Sequence, residues 1–106
     1  MDERSRKLLW DIQTAGSAIQ QFCRGRTKMD FAADLLLRSA VERQYEIIGE
    51  ALRRLQLADV PLFARIPEGR RIIGFRNVLA HAYDTIDDAI TWDIVQHKWN
   101  ISCPLS

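Results

Sequence analysis

The sequence predicts an all-α protein, an up-and-down bundle of four main helices plus a short helical connection, formed by one domain spanning residues 1–106. Three observations favour this fold. Apolar residues recur at three- and four-residue intervals, which is the period of a helix. No segment shows the alternation of apolar and polar residues that is typical of a half-buried strand. The 106 residues, 47% hydrophobic and 27% charged, have an ordinary composition for one small globular core.

The first helix is predicted from about Glu3 to Arg24. One apolar stripe with spacings of four, three, four and three residues consists of Leu8, Ile12, Ala15, Ile19 and Phe22. Gly25 is expected to end this helix. Thr27 and Asp30 have the three-residue spacing of a capping arrangement for the next helix.

The second helix is predicted as one long element from about Asp30 to Leu57, with two apolar sets side by side. The first set is Leu37, Val41, Ile48, Leu52 and Leu55, and the second set is Leu36, Ala40, Ile47 and Ala51. The two sets together are wider than one neighbouring helix needs. We therefore expect a second subunit to cover part of this face.

The remaining elements are a packed connection and two further helices. The connection, from Ala58 to Pro67, is expected to contain a short helical turn whose apolar residues are Leu62, Phe63 and Ile66. Pro67 suits the first turn of a third helix, predicted from about Glu68 to Ala80. A fourth helix is predicted to begin near Asp87, with a core stripe of Trp92, Val95 and Trp99.

The net charge of only +1 excludes nucleic-acid binding through overall positive charge, so such binding would need a local patch. The segment from residue 65 to residue 76 contains one acidic residue, Glu68, and four arginines. The arginines are Arg65, Arg70, Arg71 and Arg76. Arg70 and Arg71 are therefore candidate RNA contacts. A solvated basic helix face is an equally good interpretation of these residues.

The cysteine pattern and the hydropathy predict the cellular compartment of the protein. Cys23 and Cys103 are far apart and have no metal-ligand spacing, and no secretory segment precedes the first helix. We expect two free thiols and a cytoplasmic protein. No apolar run approaches the length needed to cross a membrane.

The most informative segment runs from Arg76 to Tyr83 and reads RNVLAHAY. An arginine can hold a phosphate in a bidentate fork at any working pH. A histidine that titrates near neutrality, such as His81, can move the proton of a ribose hydroxyl. These residue types are therefore suited to metal-free chemistry at a phosphodiester.

Two segments together resemble the HEPN superfamily and, within it, the HepT-like toxin family. Residues 72–83 read IIGFRNVLAHAY, with Asp84, Asp87 and Asp88 after them, and residues 45–52 read YEIIGEAL. The resemblance covers nearly the whole chain. It implies a metal-independent endoribonuclease in which Arg76 and His81 carry catalysis and Asn77 is a supporting polar residue.

The resemblance also implies a partner protein. HepT-like toxins are paired with a minimal nucleotidyltransferase antitoxin, which uses ATP and magnesium to adenylylate the tyrosine at the position of Tyr83. A bulky anionic group beside Arg76 would compete with an RNA phosphate. No bound cofactor is implied for the toxin itself.

One uninterrupted helix does not aim Arg76 and His81 at the same phosphate. At about 100° per residue, Arg76 lies at the margin of the apolar face and His81 lies nearly opposite that face. We therefore expect a homodimer, formed through the second and third predicted helices, whose shared cleft collects both groups, together with some local distortion of the helix.

Other interpretations remain open. Arg76 could pair with Glu42, Glu46 or Glu50 of the second predicted helix, because an unpaired buried charge is costly. The chain could be a catalytically weak module that docks a nucleotidyltransferase. A carboxylate-bound metal enzyme is disfavoured, since neither His81 nor His97 follows a glutamate by three residues.

Overall fold

The computed structural model describes residues 2–66 and 68–74. Four helices in this part are α1 (Glu3–Cys23), α2 (Lys28–Ala33), α3 (Leu35–Ala58) and α4 (Val60–Phe63). A fifth helix, α5, begins at residue 69 and continues to 74, where the description ends. Within these ranges there is no strand, so the all-α prediction is confirmed for them. The fourth predicted helix lies outside the described residues, and the four-helix bundle stays a prediction.

The helix α1 begins and ends close to where the sequence predicts. The Asp2 carboxylate accepts a hydrogen bond from the Ser5 backbone N–H at 2.8 Å and thereby caps the helix. After Cys23 the chain turns at Gly25, whose φ of +72° is a conformation that glycine adopts without strain. None of the described helices is long and apolar enough to cross a membrane.

The apolar stripe of α1 is confirmed at four of its five predicted positions. Its buried members are Leu8, Ile12, Ala15 and Ile19. The prediction for Phe22 is wrong, since this ring is 37% exposed and Cys23 is buried in its place. The buried side also includes Leu9 and Gly16, so its centre is rotated toward Cys23 and away from Phe22.

The predicted long helix from Asp30 to Leu57 is wrong in one respect, because the chain forms two helices that meet at Asp34. Asp34 has extended backbone angles, φ −115° and ψ 97°. Its carboxylate accepts a hydrogen bond from the Leu37 N–H at 3.1 Å and caps α3. Apolar residues lie on both sides of this position, at 31–33 and 35–37, which explains why the pattern did not predict the break.

The short helix α2 has its own capping box, as the spacing of Thr27 and Asp30 predicted. The Thr27 hydroxyl accepts from the Asp30 N–H at 3.1 Å, and the Asp30 carboxylate accepts from the Thr27 N–H at 2.8 Å. At the other end, the Arg38 guanidinium donates to the backbone carbonyls of Phe31 and Ala32. Both ends of α2 are therefore fixed by side chains.

The helices α1 and α3 pack side by side in opposite directions. Leu8 shares a groove with Ala51, toward the C-terminal end of α3, whereas Phe22 shares a second groove with Leu36 near its N-terminal end. The first predicted apolar set of α3 is buried throughout, and it consists of Leu37, Val41, Ile48, Leu52 and Leu55. The buried side chains of α1 and α3 form most of the described core.

The second predicted apolar set of α3 contributes Ala51 to this core, and Ile47 packs against it. Ala51 is buried, Ala40 and Ile47 are half-buried, and Leu36 is 80% exposed. Apolar surface therefore remains on the outer side of α3 in the described part of the chain.

The connection after α3 is packed, as predicted. The Asp59 carboxylate accepts from the Leu62 N–H at 3.1 Å and caps the single turn of α4. The three predicted apolar residues, Leu62, Phe63 and Ile66, are all buried. The start of α5 agrees with the predicted third helix, whose proposed end at Ala80 lies outside the described residues.

Candidate functional site

Only two of the predicted site residues lie in the described part of the chain. These are Arg70 and Arg71 on α5, and both are exposed. Arg76, Asn77, His81 and Tyr83 lie outside the described residues, and their arrangement stays a prediction.

The described segment before Arg76 presents positive charge to solvent. Arg65, Arg70 and Arg71 are exposed, and none of them forms an ion pair with another described residue. Glu68 is half-buried, and its Oε2 is sealed from solvent without a hydrogen-bond partner among the described residues. Asp59 uses a carboxylate oxygen to cap α4. Three of the four arginines of the predicted basic patch are therefore exposed, and the fourth, Arg76, lies outside the described residues.

A mostly apolar groove lies beside Arg70. It has a volume of about 190 Å³ and is lined by Gln56, Val60, Phe63, Ala64, Ile66 and Arg70. The sequence indicated the arginines but not the groove, because the groove needs the end of α3, α4 and the start of α5 to meet. The apolar Val60, placed between Asp59 and Pro61, was the one available signal, and that side chain is 64% exposed.

The buried ring of Phe63 is held in place by the close approach of α5. A Cβ placed on Gly69 would lie 2.7 Å from Phe63 Cε2 and 2.8 Å from its Cζ, which is closer than real Cβ atoms come. Position 69 therefore accepts glycine alone without a shift of the ring. This contact fixes the distance between α4 and α5.

The segment 45–52, which carries half of the resemblance, lies on α3 and mostly faces the core. Its buried members are Tyr45, Ile48, Gly49, Ala51 and Leu52. Burial raises the pKa of the Tyr45 phenol above its usual range, with a smaller contribution from the neighbouring Cys23. The phenol of Tyr45 is therefore neutral at physiological pH, and the role of this segment is to build the helix pair.

The carboxylates on the outer side of α3 are engaged by arginines of the same helix. Glu50 accepts hydrogen bonds from Arg53 at 2.8 Å and from Arg54 at 3.1 Å, and these two contacts lower its pKa to about 2. Glu46 lies 3.6 Å from Arg43. Among the described residues, no group of three His, Cys, Asp or Glu side chains could hold a metal ion.

The described helices and the exposed arginines before Arg76 are compatible with the helical ribonuclease that the sequence predicts. The sequence profile described as "Ribonuclease HepT-like" matches residues 12–101, and the chain belongs to this HepT-like ribonuclease family of the HEPN superfamily. The matched range includes α3 and every residue predicted to carry chemistry.

Archaeal relatives agree with this assignment. A candidate RNase of Methanocaldococcus jannaschii is 33% identical over 88 residues, which are 83% of this chain and 80% of that protein. A probable ribonuclease HepT of Thermococcus cleftensis is 36% identical over 95 residues, or 89% of this chain and 86% of that one. No solved structure gives a significant match. The family and these relatives support an RNase with an RNA substrate.

Proposed function

We propose that this protein is a metal-independent endoribonuclease that cleaves RNA at a homodimer cleft, and that it is the toxin of a toxin–antitoxin pair. The observation that carries the proposal is the match to the HepT-like ribonuclease family over residues 12–101, a range that contains Arg76 and His81. To bind a polyanion, a chain of net charge +1 needs local positive charge, and the exposed arginines before Arg76 supply it.

The proposed reaction is an internal transfer at the phosphodiester. His81 removes the proton of the ribose 2'-hydroxyl, whose oxygen attacks the adjacent phosphorus. The bond from phosphorus to the 5'-oxygen breaks, and that oxygen takes up a proton. Arg76 stabilises the additional negative charge of the transition state, and Asn77 supports its position. The products are a 2',3'-cyclic phosphate and a 5'-hydroxyl end.

A homodimer would solve the geometric problem that a single helix poses. Because Arg76 and His81 point in different directions on one ideal helix, a cleft between two subunits is a simple way to bring such groups to one phosphate. The described part of the chain has the surface for this. Leu36 is 80% exposed on α3, and Ile47 is half-buried on the same side.

In this proposal, Tyr83 is the point of control. A minimal nucleotidyltransferase antitoxin transfers AMP from ATP to the Tyr83 phenol and releases pyrophosphate. The added phosphate carries negative charge close in sequence to Arg76, so it competes with the RNA backbone for the guanidinium. Nuclease activity is then lost without any change in the fold.

The alternative is a helical module with little nuclease activity that docks a nucleotidyltransferase. The exposed apolar residues on α3 favour it as much as they favour a homodimer. Expression without the partner separates the two functions. The nuclease predicts growth arrest that depends on Arg76 and His81, whereas the docking module predicts none.

Purified protein incubated with single-stranded RNA in the presence of EDTA tests the chemistry directly. We expect cleavage that leaves 2',3'-cyclic phosphate ends, and no cleavage of an RNA whose riboses lack a free 2'-hydroxyl. Arg76→Ala and His81→Ala should each reduce the rate by about 10²–10⁴-fold. A strict requirement for added divalent metal, or full activity in both variants, would refute the mechanism.

Intact mass after incubation with the nucleotidyltransferase, ATP and magnesium tests the control point. We expect added AMP on the wild-type chain and none on Tyr83→Phe, which should still cleave RNA. AMP on the Tyr83→Phe chain would assign the modification to another residue.

A further inference from the structure

The groove beside Arg70 combines apolar and polar lining. Its apolar lining is formed by Val60, Phe63, Ala64 and Ile66, and Gln56 and Arg70 also line it. Phe63 and Ile66 are buried, whereas Val60 is 64% exposed. A ligand in this groove would therefore meet an apolar surface and one fixed positive charge.

The size of the groove limits what it can hold. Its volume of about 190 Å³ is below the roughly 300 Å³ at which pockets for drug-sized ligands begin. A single flat group such as a nucleobase is on the scale of this space. A folded helix of a partner protein would need a longer groove.

The charge around the groove favours a polyanion. In the described segment from 59 to 74, the exposed charged residues are Arg65, Arg70 and Arg71. The two acidic residues of this segment are half-buried, and one of them, Asp59, caps α4. Single-stranded nucleic acid is bound by this combination of apolar or aromatic contact for a base and arginine contact for a phosphate.

The groove is also preformed. The contact of Gly69 with the Phe63 ring fixes α5 against α4, and the Asp59 cap fixes the single turn that carries Val60. A preformed groove lowers the entropic cost of binding, because the ligand does not have to order the helices that form it.

We infer that the groove formed by α4 and the start of α5 is a nucleotide subsite, in which one base of the RNA lies on Val60 and Phe63 and Arg70 contacts an adjacent phosphate. This inference rests on the proposed ribonuclease function and adds a position where the substrate is held outside the scissile linkage. It predicts that affinity for RNA has an apolar part and an ionic part that different residues control.

Fluorescence anisotropy with a short single-stranded RNA, protected from cleavage by 2'-O-methyl riboses, measures both parts. Val60→Ser should raise the Kd about 3- to 10-fold and leave its salt dependence unchanged. Arg70→Gln should also weaken binding, and it should reduce the slope of log K against log salt concentration by about 0.7, which is one phosphate contact on a single strand.

The chain offers a matched control for each variant. Leu57→Ser removes an apolar side chain that is 75% exposed but does not line the groove. Arg24→Gln makes the same charge change as Arg70→Gln at the other end of the α1–α3 pair. On a fully abasic version of the RNA, Val60→Ser and the wild type should bind equally. Circular dichroism and thermal melting confirm that each variant is folded.

The inference is overturned if Val60→Ser binds the RNA like Leu57→Ser, or if Arg70→Gln loses no more salt dependence than Arg24→Gln. Normal RNA affinity with lost binding of the nucleotidyltransferase would assign the groove to the protein partner instead. Groove-dependent RNA binding without any cleavage would support the subsite and count against the nuclease. Cleavage by a wild type whose groove variants behave like their controls would refute the subsite alone.

Discussion

Glu50 holds two arginines on the outer side of α3, and its ionisation is coupled to the stability of the fold. Its side chain is 29% exposed, and the side chains of Arg53 and Arg54 are 48% and 58% exposed. Solvent therefore screens much of the attraction. These contacts therefore contribute less to the free energy of unfolding than the lowered pKa of Glu50 alone would indicate.

We predict that Glu50→Gln lowers the free energy of unfolding by about 0.5–1 kcal/mol at neutral pH. Since folding lowers the pKa of Glu50 from its ordinary value of 4.5 to about 2, the contribution of Glu50 to the free energy of unfolding is complete above pH 4.5 and is lost as pH falls toward 2. Urea unfolding at several pH values measures this. A difference between the two proteins that persists unchanged at about pH 2 would contradict an ionic origin.

At the scale of elements, Gly69 and Gly74 make a matched pair on α5. A Cβ at position 69 would meet the Phe63 ring at 2.7 Å, whereas a Cβ at position 74 would meet nothing within 4 Å. Both positions are helical. The same substitution should therefore have opposite effects at the two sites.

We predict that Gly69→Ala destabilises the protein by about 1–3 kcal/mol, because Phe63 or the start of α5 must shift to make room. Gly74→Ala should stabilise it by about 0.5–1 kcal/mol, since alanine loses less entropy in a helix than glycine does. Thermal melting compares the two. Equal shifts of Tm in the same direction would show that α5 does not press on Phe63.

The sequence predicted the helical elements better than the points where they break or meet. The periods of α1 and α3 predicted most of their buried positions, because burial follows from the turn angle of a helix. The break at Asp34 was missed, since the residues on both sides of it, 31–33 and 35–37, are all apolar. The groove beside Arg70 was missed because only tertiary contacts bring its three elements together.

At the scale of the whole molecule, the exposed apolar residues on α3 bear on the proposed homodimer. Leu36 is 80% exposed, and it shares a groove with Phe22 of α1. A charge at this position would be costly if a second subunit covered it and nearly neutral if it faced solvent. The substitution therefore reports on what the surface contacts.

We predict that Leu36→Glu raises the dissociation constant of the dimer roughly tenfold or more. Trp10→Glu is the control, because Trp10 is 61% exposed on α1 and lies outside the predicted interface. Light scattering over a range of concentrations gives the mass of each protein. A monomeric wild type, or equal effects of the two substitutions, would count against a dimer formed through α3.

The attachment of α2 has a consequence for slow motions of the chain. This helix has six residues, and its only buried member is Phe31, whereas α1 and α3 each bury eight. Opening α2 therefore exposes one ring and leaves the helix pair intact. Its amide protons should exchange with solvent through a local fluctuation, whereas those in the middle of α3 should exchange only when the whole domain unfolds.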